Sequence, residues 1–263
     1  MRELLNDLET GRKDVNPTRS AREAMHTPLP RRFYKDAGVM AEEDGHSVRL
    51  DGRQALTPGR RPVILPTARA ATLVAAEFGA QADHIDPMTM PATRLVNTAI
   101  DGVADDPQAV LEDVLHYASS DLICYRAETP RELVERQEQA WDPVLDWAHS
   151  ALGARFIVAE GVMPVEQPRE TIAVLGVHLA QRREPHRIAA LHVMTSLTSS
   201  ALLAMAVEAG ELDADRAWAA AHVDEDWNRD RWGEDAEAAA RRAKRQREMY
   251  AAAALIAALD AAD

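Results

Sequence analysis

Residues 224–235 read DEDWNRDRWGED, a run that packs two tryptophans, two arginines and six carboxylates into twelve positions. We place this run at the end of a helix that begins near Asp213. On a 3.6-residue period, Glu225 falls on the same side as Trp218, His222 and Trp232. The sequence therefore predicts a carboxylate within an apolar stripe rather than on a solvated face.

The end of this run also carries helix-boundary signals. Gly233 is suited to the C-terminal cap of the helix, because glycine accepts a left-handed backbone at no steric cost. Asp235 is suited to cap the helix that follows.

Two interpretations of the run stay open on pattern alone. Charge runs are usually solvated surface, which favours a packed helix-turn-helix with an acidic rim. The alternative is a protein-binding or catalytic site around Glu225, because an unpaired carboxylate on an apolar face costs free energy. Either Arg229, one turn further on, pairs with Glu225, or the function of the protein requires an unpaired carboxylate there.

Composition narrows the classes of partner. The chain has 263 residues, 46% of them hydrophobic, and a formal net charge of −13. This charge argues against nucleic acid and anionic membrane as partners. The single cysteine, Cys124, excludes an intrachain disulfide framework and fits a reducing compartment, where we expect it to be a small buried hydrophobe. The chain has no run of 18 apolar residues and no targeting segment, so we expect a cytoplasmic protein.

The order of the segments predicts an α+β fold. Residues 1–30 show no sustained apolar period, and we expect a flexible N-terminal arm. Residues 31–128 predict a small mixed β-meander/helix N-terminal domain, with turns at residues 43–45 and 51–52 and strands between them. A helix opened by Thr67 should cover one face of this meander.

Residues 129–263 predict a mostly α-helical C-terminal domain. Thr129 to Glu132 form a capping box with proline, which marks a helix start. Pro143 predicts a kink or restart between Trp141 and Val144. Beyond Pro168 we expect helices over about 169–182, 185–208, 213–232 and 235–260. We interpret the basic run 241–247 as a solvated helix face, and the serines and threonines of 196–200 as sites of close helix packing.

Catalytic and cofactor motifs are absent from the sequence. It contains no G-x-G-x-x-G, G-x-x-x-x-G-K-[ST], H-E-x-x-H or C-x-x-C motif. The nine histidines are scattered, and the carboxylates of 224–235 lack the spacing of a calcium loop. We therefore expect no enzyme activity, no cofactor and no metal. The remaining enzymatic alternative is a carboxylate-dependent hydrolase or lyase centred on Glu225.

Six separated motifs, in order, resemble one family. They are RFYK at 32–35, LDGR at 50–53 with Thr57-Pro58, MPATRLVNTAID at 90–101, SDLICYRA at 120–127, QAWDPVLDW at 139–147, and DEDW at 224–227 with WGED at 232–235. The chain resembles the assembly chaperones of the F-type ATP synthase that bind the free alpha subunit of its catalytic head. The resemblance runs from about residue 31 to the C-terminus. Asn228 and Phe78 stand where the family usually has glutamine and tryptophan.

The resemblance implies a non-catalytic protein that shields the alpha subunit until it pairs with beta. It also implies that Glu225 matters for function. Trp and Arg side chains most often anchor protein interfaces, so the candidate partner-binding residues are Glu225, Trp227, Arg229, Arg231 and Trp232. Free protein should be a monomer, and the related mitochondrial proteins would lie in the matrix. A permanent structural subunit stays a third possibility, which predicts stoichiometric association with the finished complex.

Overall fold

The computed structural model describes residues 29–161 and 163–261. The predicted arm of residues 1–30 lies outside these ranges except for its last two residues. Residues 29–33 and 81–86 form one small compact unit, and residues 34–80 and 87–261 form another. The predicted division between residues 128 and 129 stays a prediction.

The small unit is a pair of antiparallel chain segments. Arg31 forms an isolated bridge with His84, and the backbone N–H of Arg32 donates to the Asp83 carbonyl at 2.9 Å. The stretch 31–35 holds this isolated bridge and no continuous strand.

The sheet of the large unit is an antiparallel meander. Its strands are β1 (Ala37–Glu42), β2 (Gly45–Leu50), β3 (Arg53–Gln54) and β4 (Ile64–Leu65), with β2 pairing to all three others. In the β1–β2 register, Ala37 faces Leu50 and Glu42 faces Gly45. Gly45 has φ of +139°, and a Cβ there would lie 2.4 Å from the Leu65 carbonyl oxygen. The turn signal at residues 43–45 is thus confirmed, and its glycine is required by the approach of β4.

The described residues then run through ten α-helices, three other helical turns and a second, parallel strand pair. The α-helices are α1 (Ala68–Gly79), α2 (Pro91–Thr98), α3 (Pro107–Ser119), α4 (Arg131–Leu152), α5 (Arg169–Leu179), α6 (Pro185–Thr198), α7 (Ala201–Glu208), α8 (Ala214–Ala221), α9 (Val223–Trp232) and α10 (Ala236–Leu259). The other turns are 3₁₀-helices at Pro87–Thr89 and Leu122–Cys124 and a π-helix at Ala99–Val103, and β5 (Tyr125–Arg126) pairs with β6 (Ala159–Glu160). The predicted α+β class, with a small sheet first and helices after it, is confirmed.

Helix α1 covers the meander as predicted. Thr67 caps it by accepting from the Ala70 N–H at 3.2 Å. Its buried residues are Ala70, Ala71, Val74 and Ala75. Three small side chains on the inner face let the helix lie close to the sheet.

Helix α6 lies at the centre of the helical core. It packs against α2, α3, α7 and α10, and eight of its fourteen residues are buried. Cys124 is also buried, as predicted.

The single helix predicted over 185–208 is wrong. Ser199 adopts φ of +53° and ends α6, and the Ser200 hydroxyl accepts from the Leu203 N–H at 3.0 Å to start α7. The buried carboxylate of Asp121 accepts from the Leu202 N–H at 3.0 Å. The small polar cluster therefore breaks and caps helices, and its part in close helix packing stays a prediction.

Helix α4 corrects two other expectations. It runs unbroken through Pro143 from Arg131 to Leu152, because Pro143 lies on the exposed side, where water can satisfy the carbonyl left without a donor. Trp141, Val144 and Ala148 hold the opposite side in the core. The helix start is confirmed, but Pro130 occupies the N-cap and no side chain caps the helix.

Candidate functional site

The site begins at a break between two helices that the sequence predicted as one. Helix α8 ends at Ala221, and α9 starts at Val223. His222, between them, has φ of −119° and ψ of 21°. Its backbone N–H bonds to the Ala219 carbonyl at 3.2 Å, which leaves the Trp218 carbonyl without its usual i+4 backbone donor.

The side chain of His222 supplies the missing donor. Its Nδ1 lies 2.7 Å from the Trp218 carbonyl oxygen, and a carbonyl only accepts, so Nδ1 carries the proton. The imidazole also stacks on the Trp218 ring, with centroids 3.8 Å apart. Burial lowers the pKa of His222 below its usual value, against the opposing pull of the Trp218 carbonyl and the Glu225 carboxylate. Near neutral pH the ring is neutral, and Nε2 bears a lone pair.

Helix α4 holds one side of α9. The indole N–H of Trp141 donates to the Ala220 carbonyl at 2.7 Å, and Gln137 donates to Asp224 at 2.7 Å. Arg136 of α4 pairs with Asp230 at 2.9 Å. These contacts fix both the break and the first turn of α9 against the core.

Trp227 lies within this packed side of α9. It is only 7% exposed, and its ring lies between the guanidinium groups of Arg231, at 3.9 Å, and Arg136, at 4.9 Å. Cation–π contacts of this kind stabilise the position of an indole ring. Trp227 therefore anchors α9 to α4.

The other side of α9 faces α10 across an open cleft. Gly233, with φ of +84°, ends α9, and Asp235 caps α10 by accepting from the Ala238 N–H at 3.0 Å. Both boundary predictions are confirmed. The volume of this cleft is about 660 Å³. The residues that line it are His222, Glu225, Asn228, Arg229, Trp232, Gly233, Glu234, Asp235, Ala238, Arg241, Arg242 and Arg245.

Glu225 lies open in this cleft. Its side chain is 60% exposed, and its Oε2 lies 3.8 Å from both His222 Nε2 and Arg242 Nη1. Neither distance is that of a hydrogen bond. Within the part of the chain that the structure describes, this carboxylate makes no direct hydrogen bond.

Of the two alternatives left open by the sequence, a pairing of Glu225 with Arg229 is not the one that forms. Arg229 pairs with Asp226 at 3.1 Å and with Glu234 at 3.8 Å. Asp226 Oδ1 also lies 2.5 Å from Arg242, although neither arginine is aligned to make a hydrogen bond to this oxygen. Asp226 lies between the two helices, so it draws both arginines towards itself and away from Glu225.

The structure brings together three of the five predicted partner-binding residues. Glu225, Arg229 and Trp232 line the cleft, and Trp232 is 84% exposed. Trp227 and Arg231 stack with each other on the side that meets α4. Their roles in partner binding stay predictions, as do those of the other three.

Sequence reasoning missed the cleft residues of α10. Arg242 forms an ion pair across the cleft, and Arg245 donates to the Leu197 carbonyl at 2.8 Å, so the basic run is more than a solvated face. The signal that could have indicated these arginines is the acidic first turn of α9, which needs cations from a neighbouring element.

Two tryptophans of α4 lie at different depths. Trp141 lies in the core, and Trp147 is half-buried.

A second, mostly apolar groove of about 750 Å³ lies between α3, α5 and the chain before α5. Leu115, Tyr125, Val165 and Ile172 contribute to its lining. It carries no group of titratable side chains comparable to that of the α9–α10 cleft.

Across residues 29–161 and 163–261, no three His, Cys, Asp or Glu side chains are grouped as a set of metal ligands. None of the helices in those ranges combines the length and apolar character needed to cross a bilayer.

Comparison with known proteins gives consistent matches. The family described as ATP12 chaperone protein matches residues 31–149. The crystal structure of the Atu1473 protein from Agrobacterium tumefaciens is 51% identical, with a TM-score of 0.85, and the match covers 99% of this chain and 97% of that one. Atp12 from Paracoccus denitrificans is 38% identical, with a TM-score of 0.81, over 88% of this chain and 98% of that one. The mitochondrial protein atp12 of Schizosaccharomyces pombe is 24% identical over 223 residues, which are 79% of this chain and 76% of that relative.

Proposed function

We propose a function from the premise that the chain belongs to the ATP12 chaperone family, whose members take part in ATP synthase assembly. The chain binds the unassembled alpha subunit of the catalytic head and shields it until beta pairs with it. We propose the alpha subunit as the partner because six motifs of this sequence resemble those of the chaperones that bind that subunit.

The observation that carries the proposal is the open α9–α10 cleft. A holding surface needs exposed aromatic or apolar area with charged groups at its rim. Trp232 presents almost its whole indole there, and Glu225 presents a carboxylate that no direct hydrogen bond satisfies. Both groups are therefore free to contact another protein.

The same cleft is a poor catalytic site. Its lining contains no serine, threonine, cysteine, tyrosine or lysine, so hydroxyl, thiol and amine nucleophiles are absent from it. His222 and the Glu225 carboxylate lie 3.8 Å apart without a hydrogen bond, so the cleft holds no hydrogen-bonded acid–base pair at these two residues. We therefore propose a non-enzymatic role, and no observation favours the hydrolase or lyase alternative.

The test is an aggregation assay with purified alpha subunit. Denatured alpha subunit is diluted into buffer without nucleotide, with and without this protein, and light scattering is followed. We expect scattering to be suppressed at a near-stoichiometric ratio of this protein to alpha subunit. Beta subunit that is added later should then recover soluble alpha–beta pairs. Suppression of unrelated denatured proteins to the same degree would contradict a dedicated alpha-subunit chaperone.

The compartment and the stoichiometry follow from the same proposal. We place the chain in a bacterial cytoplasm, whereas the relative from S. pombe is named as mitochondrial. A chaperone should be absent from purified, finished ATP synthase. Its presence there in stoichiometric amount would favour the permanent-subunit alternative.

A further inference from the structure

Among the residues that the structure describes, no donor lies between the imidazole of His222 and the carboxylate of Glu225, which form a pair of facing acceptors. His222 is 97% buried, being 3% exposed, and lines the cleft with its Nε2 towards Glu225. Nδ1 already donates to the Trp218 carbonyl, so Nε2 of the neutral ring can only accept. Two acceptors therefore face each other at 3.8 Å.

This separation fits a single donor between the two atoms. A nitrogen can lie within ordinary hydrogen-bond distance of both acceptors when they are 3.8 Å apart. An ammonium group satisfies both, because its three N–H bonds diverge at tetrahedral angles. A guanidinium is planar and suits the two oxygens of one carboxylate better.

The net charge of the cleft does not select a cation, because its lining carries four arginines and three carboxylates. The arginines are engaged elsewhere: Arg242 and Arg229 are paired with Asp226, and Arg229 also with Glu234. Arg241 pairs with Glu237, and Arg245 donates to the Leu197 carbonyl. The guanidinium of Arg242 stays 3.8 Å from Glu225 without a hydrogen bond to it, so it is the two facing acceptors that favour a donor.

We propose that the α9–α10 cleft accepts one lysine side chain of the unassembled subunit, with its ammonium group between His222 Nε2 and Glu225 Oε2. Trp232, one of the cleft-lining residues, offers an exposed indole for the aliphatic stem of that lysine. The inference rests on the proposed function, because the alpha subunit supplies the lysine. It assigns His222 a positioning and binding role besides its helix-ending role.

Two substitutions of His222 separate these roles. In His222→Asn, the side-chain amide can take the place of Nδ1–H and keep the bond to Trp218, but no acceptor remains at the Nε2 position. In His222→Gln, the amide oxygen can take the place of Nε2, but the bond to Trp218 is lost. The affinity of each variant for immobilised alpha subunit and its melting temperature are measured together.

We expect His222→Asn to melt close to the wild type and to bind alpha subunit about 10-fold or more weakly, as for loss of a hydrogen bond to a charged group. We expect His222→Gln to melt lower but to recover part of the binding. A purely structural role for His222 predicts the reverse order in binding, and that result would overturn the inference. Glu237→Gln, at a first-turn glutamate outside the cleft lining, is the matched control and should bind normally.

Carbodiimide coupling tests the lysine itself. This reagent activates a carboxylate, which then forms an amide bond with an amine in direct contact with it. Glu225 should therefore become linked to a lysine of the alpha subunit, and the link should be absent in Glu225→Gln. Coupling to no lysine, while wild-type binding persists, would reject the lysine but leave the proposed function in place. Failure of wild-type protein to bind alpha subunit at all would reject the proposed function instead.

Discussion

Trp232 and Trp227 lie five residues apart on α9, and they should respond in opposite ways to replacement by alanine. Trp232 is 84% exposed and Trp227 is 7% exposed. Full burial of a large apolar side chain stabilises the fold by about 1.5–3 kcal/mol. Trp232 buries only about a sixth of its surface, so Trp232→Ala should lower the free energy of unfolding by about 0.5 kcal/mol or less. Truncation of a buried tryptophan costs about 3–5 kcal/mol, and Trp227→Ala also removes the ring that Arg231 and Arg136 flank.

Thermal melting and binding to alpha subunit, measured on the same preparations, check this contrast. For a chain of this size, 1 kcal/mol shifts the melting temperature by about 2–4 °C. Trp232→Ala should therefore melt within about 2 °C of the wild type, and Trp227→Ala about 10 °C lower. If Trp232 is an interface anchor, its loss should weaken binding by about 2 kcal/mol, close to 30-fold. Unchanged binding in Trp232→Ala, or a melting temperature as low as that of Trp227→Ala, would refute the assignment of Trp232 to the interface.

Two more predictions concern Glu225 and Asp121. Glu225→Lys should cost only about 1 kcal/mol of stability, because it places an unfavourable charge in the first turn of α9 and near Arg242, yet it should weaken binding to the alpha subunit by about 2–5 kcal/mol. Glu237→Lys, in the first turn of α10, is the control for charge reversal. Equal loss of binding in both variants would exclude a specific role for Glu225. Burial raises the pKa of Asp121 to about 6, despite hydrogen bonds from Ser200 and from backbone amides, so the folded chain binds this proton more tightly than the unfolded chain does. Stability should therefore gain about 2 kcal/mol from this group as the pH falls from about 6 to about 4. Urea titrations at both pH values should show the gain in the wild type and not in Asp121→Asn, and equal pH slopes would contradict it.

Local signals were predictable from the sequence where a few neighbouring residues decide the outcome. Thr67 caps α1, and the Gly233 and Asp235 boundaries are where the pattern placed them. Each feature depends on hydrogen bonds or backbone angles within about four residues. Such interactions can be predicted from the sequence without knowledge of the fold.

Interactions between distant elements were not predictable in the same way. The pairing of Arg229 with Asp226 rather than Glu225 depends on Arg242, which approaches Asp226 only because α10 returns along α9. Similarly, Pro143 is tolerated inside α4 because the buried side of that helix holds it in place. Spacing along the chain carries no information on which element supplies the opposing charge or the packing.

The break at His222 shows how one unpredicted feature arranges the whole cleft. Neither glycine nor proline marks this position, so periodicity extends the helix through it and predicts Glu225 in an apolar stripe beside Trp218. In the structure, the histidine side chain replaces its own backbone N–H as the donor to Trp218, and α9 starts again at Val223. Burial of the ring in this position keeps Nε2 unprotonated near neutral pH, while the restarted helix presents Glu225 and Trp232 to the cleft and Trp227 to α4. The bond that ends α8 is therefore also the bond that leaves an acceptor facing Glu225. At His222, the contributions to stability and to partner binding should be separable only by substitutions that replace one ring nitrogen and not the other.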